Sequence, residues 1–236
     1  MSDGSSPDLV YTNHLLASLE RTVSRDRLRR YLAPARQDMK VALRLYEANV
    51  AVSEALYGVL HGVKIAVRNA MHHDLTAGYN STFWYNSAPL TKYLTAKVNE
   101  AKYKAGGAQP PPGKVVAELS FGFWADLTAQ RNHWPFWVPH IHKAFPNASA
   151  PHPLRSNVHA RLEKIRSLRN RIAHHEPILT SQNRVYAGHQ SYLELAHIDE
   201  CVNWVCIDTA QWLNARSRFH LAVEILAQVR STGVTI

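Results

Sequence analysis

Residues 165–178 read Ile-Arg-Ser-Leu-Arg-Asn-Arg-Ile-Ala-His-His-Glu-Pro-Ile and hold the densest set of reactive side chains in the 236-residue chain. Arg169, Asn170 and His174 fall on one predicted helix, and two further titratable groups, His175 and Glu176, stand at its end. A histidine titrates near neutrality and can take or donate a proton. A guanidinium stays cationic and can hold two phosphate oxygens as charge builds in a transition state. Helical arithmetic places Leu154, Val158, Leu162, Ile165 and Ile172 within roughly 40° of one line, and Arg169 projects into the middle of that apolar stripe. Asn170 and His174, four residues apart, share a face roughly 120–160° away. A charge at a core-facing position costs several kcal/mol unless it is paired or its face lines a cleft or interface. Arg169 is therefore a site candidate. The structural alternative is a buried arginine paired with a carboxylate, with His174 and His175 merely closing the helix.

A second Arg-x4-His occurs at Arg68–His73, but Arg68 lies roughly 160° from its own helix's stripe and His73 near the stripe's edge, the reverse of the first motif. His61, Lys64, Arg68 and His72 instead make one cationic row, either a solvated face or an RNA-contacting one. Trp84, in a loop beside that row, is the aromatic expected to stack on an unpaired base, while the remaining tryptophans and phenylalanines read as core. The pairs His72-His73 and His174-His175 do not make a metal site, because adjacent helical histidines diverge by about 100° and no second donor shares their face.

These residues need a scaffold, and the composition is globular: 46% apolar and 19% charged. No run approaches 18 consecutive apolar residues, so no membrane-spanning helix is expected. The N-terminus has no secretory pattern, and Cys201 and Cys206 read as reduced thiols, so a cytoplasmic location is expected. Lys and Arg number 27 against 18 Asp and Glu, a formal +9 that favours a polyanionic partner, nucleic acid first.

Periodicity predicts an all-α fold: a disordered tail over 1–10, then a single helical domain over 11–236. Two short helices lie in 11–33, the second capped by Ser24. A long helix spans 37–77, with Gly58 and Gly62 marking a kink or a close helix contact. A helix over 90–104 precedes a Gly/Pro linker at 106–113, and 114–129 reads as one helix. The motif helix covers 155–175, ended by Pro177. A polar loop over 177–191 leads to one final helix over 197–230.

The string Arg169-Asn170-Arg171-Ile172-Ala173-His174-His175-Glu176-Pro177-Ile178 resembles the signature of the bacterial abortive-infection (Abi-like) proteins of the HEPN superfamily of helical ribonucleases. Leu43–Tyr46 with Ala66–Ala70, the Phe83-Trp84-Tyr85 loop and Leu119–Trp124 resemble further family blocks in the family's order, so the likeness covers roughly residues 24–215. Lys64 departs from it, standing where members often carry an acidic residue. The resemblance implies a HEPN-type bundle and metal-independent, cofactor-free RNA cleavage. In that reaction the 2′-hydroxyl attacks the adjacent phosphate, leaving a 2′,3′-cyclic phosphate and a 5′-hydroxyl. Arg169 and His174 would be catalytic, Asn170 would orient groups around the histidine, and His175 and Glu176 would support them. Lys64, Arg68, His72 and Trp84 are the expected RNA contacts. The resemblance also implies a homodimer that shares one cleft, and a toxic ribonuclease would need restraint by an antitoxin protein, an antitoxin RNA or an occluded site. The competing function is a non-catalytic helical module that binds RNA or a partner.

Overall fold

In the computed structural model the described residues are 10–106, 109–148, 155–181, 184–185 and 188–231. The expected tail at 1–10 lies outside them but for Val10, as does Leu154 of the motif stripe. The fold is helical throughout the described residues except for two two-residue strands, β1 (Thr180–Ser181) and β2 (Arg184–Val185), paired antiparallel. The chain gathers into two compact units, and the helix Met39–Tyr79 contributes residues to each.

The first unit takes the chain up to Glu54, Glu176–Ser191 and the segment from Phe219. Its helices are α1 (Asn13–Val23), α2 (Arg25–Leu32), the start of α3 (Met39–Tyr79) and α10 (Phe219–Ser231). Local chemistry sets the starts. Thr12 accepts from the Leu15 amide, Ser24 caps α2 through the Arg27 amide, and Asp38 Oδ1 accepts from the amides of Lys40 and Val41. Leu28 and Tyr31 of α2, Leu45, Ala48 and Val52 of α3, and Phe219 and Leu226 of α10 are buried. Tyr31 meets Tyr46 edge-on at 5.6 Å.

The second unit comprises Ala55–His175 and Tyr192–Arg218. The rest of α3 continues its buried row through Leu56, Val59, Val63, Val67, Met71 and Leu75. By length and composition α3 holds a window apolar enough to cross a membrane, with mean hydropathy 1.4, which the count of consecutive apolar residues missed. A core helix needs the same composition. Next come α4 (Lys92–Ala105), α5 (Pro112–Glu118), α6 (Phe121–Leu127), α7 (Arg155–Ala173), α8 (Gly188–Val205) and α9 (Ile207–Arg216). The predicted helix over 114–129 is two: Leu119 turns extended, and Ser120 opens α6 by accepting the Phe123 amide. The predicted helix over 197–230 is three, broken where Cys206 and Ser217 adopt extended backbone, and α8 begins inside the expected polar loop. Gly62 is a close helix contact, since a Cβ there would lie 2.3 Å from Leu213 Cδ2 on α9. Thr128, buried just past α6, joins α7 through His159 Nδ1 at 3.0 Å and through its carbonyl, which accepts from Arg155 Nη1 at 2.7 Å. Arg161 pairs with Glu200 of α8 and lies 5.7 Å over the Trp204 ring.

Candidate active site

The motif helix α7 buries Val158, Leu162, Ile165, Leu168 and Ile172. Arg169 is exposed. Its expected core-facing placement is therefore corrected: Leu168 takes the buried position between Ile165 and Ile172, at the same three- and four-residue spacing. Nearer the middle of α7, the Arg166 guanidinium lies 4.0 Å from Asp126 of α6. Among the described residues Arg169 has no ion pair, and its one side-chain hydrogen bond, from Nη1 to Asn170 Oδ1, is 3.4 Å long. The buried, paired arginine of the structural alternative is not what the fold builds.

The end of α7 sets the imidazole positions. The His174 amide still donates to the Asn170 carbonyl at 2.9 Å, and the His175 amide to the Ile172 carbonyl at 3.0 Å. His175 then takes φ 55°, the left-handed conformation that closes many helices, normally with glycine. Pro177 follows and forbids continuation. Asn170, His174, His175 and Glu176 are all exposed.

One residue of the cationic row, Lys64, feels the charge of Arg169. Lys64, half-buried on α3, is held below the usual lysine range first by burial, then by the charges of Arg68 and Arg169, with Glu118 opposing. Lys64 on α3 thus feels the charges of Arg68, one turn on in the same helix, and of Arg169 on α7. Arg68 also donates from Nε to Asn69 Oδ1 at 3.0 Å.

His72 and Trp84 are placed differently from the expectation. Trp84 is fully buried against Tyr85, Phe123 and Trp124, so the stacking role assigned to it is corrected: no base can reach that ring. Its indole N–H donates to His72 Nδ1 at 3.0 Å, which engages one nitrogen of a half-buried imidazole. Burial, then Arg68 and His73, hold His72 below the usual histidine range. His73, expected near the apolar edge, is exposed and pairs with Asp74 at 3.2 Å. No group of three His, Cys, Asp or Glu side chains lies together among the described residues.

Sequence reasoning passed over Asn49. Buried on α3, it accepts the amides of Ile178 and Leu179 through Oδ1 at 2.8 and 3.1 Å, fixing the chain just beyond the motif. The signal was present: Asn49 sits four residues after Leu45 and three before Val52, a polar group inside an apolar stripe.

Compared with family models, with curated proteins and with solved structures, the chain matches none. The functional reading therefore rests on what the side chains can do. Lys64, Arg68 and Arg169 can hold a phosphate and the charge that grows on it, and an exposed imidazole one turn beyond Arg169 can move a proton.

Proposed function

We propose that this protein is a metal-independent endoribonuclease of the Abi-like HEPN kind. The observation that carries the reading is the exposed Arg169, without an ion pair among the described residues, a turn before the exposed His174, with its charge felt by Lys64. An exposed arginine beside the buried stripe has no packing role to fill, and the like charges that Lys64 feels from Arg68 and Arg169 favour an anion there.

In the proposed reaction His174 removes the proton of a ribose 2′-hydroxyl, and the oxygen attacks the adjacent phosphorus. The phosphorus–5′-oxygen bond breaks, and the departing oxygen takes up a proton. Arg169 and Lys64 stabilise the charge on the non-bridging oxygens, Arg68 holds a neighbouring phosphate, and Asn170 orients groups around the imidazole. On an ideal helix Arg169 and His174 diverge by roughly 140°. A twofold pair of motif helices would let Arg169 of one copy meet His174 of another, so we propose a homodimer. An activity of this kind in the cytoplasm needs restraint, and an antitoxin protein or RNA is the proposed means.

The test compares the parent with His174→Ala and Arg169→Ala on single-stranded RNA in the presence of a chelator. Cleavage by the parent, lost in both folded variants, is the expected result. Tight binding without cleavage by the parent would favour the non-catalytic RNA-binding module instead.

A further inference from the structure

With Trp84 buried, a different tryptophan is available to RNA. Trp134 is 77% exposed, although tryptophan carries the largest apolar surface of any side chain. It is not on a loose loop. It belongs to a π-helical turn, His133–Trp137, whose Phe136 and Trp137 are buried, with Trp137 stacked on Phe145 at 6.1 Å. Just before the turn, the buried Asn132 donates from Nδ2 to the Asp126 carbonyl at 2.7 Å. The indole is thus presented on a fixed base, with His133 packed edge-on against it at 5.0 Å. Little conformational freedom remains to be lost on binding.

The local sequence points to the partner. No Asp or Glu occurs between Asp126 and Glu163, and although Arg161 pairs with Glu200 and Arg155 binds Thr128 and Gln130, Arg131 and Lys143 flank the Trp134 turn with His133, His140 and His142. Arg131, three residues before Trp134, keeps a side chain 52% exposed and, among the described residues, is tied only by a 3.5 Å pair to Asp126. An apolar protein partner would not need this charge bias, whereas a nucleic-acid strand offers both a phosphate for the arginine and an unpaired base for the indole face.

We infer that Trp134 is a stacking platform for an unpaired RNA base, with Arg131 contacting an adjoining phosphate. The inference rests on the RNA substrate proposed above and adds a contact on a separate element from Arg169 and His174. The test measures affinity for a fluorescent single-stranded 2′-O-methyl RNA, which lacks the attacking hydroxyl and so reports binding alone. Trp134→Ala should weaken binding about 5- to 150-fold, the range for loss of one stacked base. Trp134→Phe should retain most of the affinity, and both variants should melt with the parent because the ring is exposed. Affinity for a fully paired duplex should not change. A Trp134→Ala protein that binds the single strand as the parent does would overturn the inference even if the parent cleaves RNA. Equal losses on single strand and duplex, or a parent that binds neither, would overturn it as well. A parent that binds through Trp134 yet cuts no RNA would uphold it and remove the cleavage reading.

Discussion

Replacing Asn49 should show how firmly the chain beyond the motif is held. Its Oδ1 takes two backbone amides, Ile178 N–H at 2.8 Å and Leu179 N–H at 3.1 Å, and all three residues are buried. Each buried donor left unsatisfied costs about 1–3 kcal/mol. Asn49→Ala strands two, so we expect a loss of about 2–6 kcal/mol in chemical denaturation, with Ile178 and Leu179 amide protons exchanging faster than their neighbours. Asn49→Leu preserves volume but not the acceptor, and should lose nearly as much. Ile178 lies four residues after His174, so both variants should also lose activity through slack at the motif's end. A leucine variant as stable as the parent, with both amides still protected, would refute the reasoning, because packing rather than hydrogen bonding would then hold the segment.

The two glycines of α3 should respond oppositely to alanine. Gly58 has nothing within 4 Å of a built Cβ, so Gly58→Ala should stabilise by about 0.5–1 kcal/mol. Gly62→Ala puts a methyl 2.3 Å from Leu213 Cδ2, and should cost about 1–3 kcal/mol unless Leu213 moves; paired urea titrations decide it. His72 predicts a pH effect. Its folded imidazole is held below the ordinary 6.5 by burial, then by Arg68 and His73, so the unfolded chain binds more protons as pH falls. The neutral ring's contribution is present above about pH 6.5 and is lost as pH falls from there through the lower folded value. His72→Gln, which keeps an acceptor for Trp84 without titrating, should flatten that part of the stability–pH curve; identical slopes would contradict the assignment.

The sequence carried the helices better than their breaks. Periodicity is set by which residues face the core, so the 41-residue α3 and the capped α2 were legible from spacing and one serine. The break at Leu119-Ser120 was not, because its only local mark is a serine inside an otherwise helical apolar run, and Cys206 carries no turn signal at all. At the site, spacing placed Arg169 in the apolar stripe, but its neighbour Leu168 is the residue buried there, since a helical wheel does not say from which side the packing comes. Trp84 failed for a related reason. A loop position implies exposure only on average, and Tyr85, Phe123 and Trp124 close over this one. The electrostatic link between Lys64 and Arg169 joins residues far apart in sequence, which no local spacing reveals.

The central claim is that Arg169 and His174 cut RNA without a metal. It is tested most directly by incubating the purified full chain with single-stranded RNA and chelator and identifying the new ends. The account predicts 2′,3′-cyclic phosphate and 5′-hydroxyl termini, a rate about 10²–10⁴ lower in His174→Ala, and a folded Arg169→Ala protein that is also inactive. Parent-level cleavage by a folded Arg169→Ala or His174→Ala protein, or cleavage that stops when metal is chelated, would contradict it.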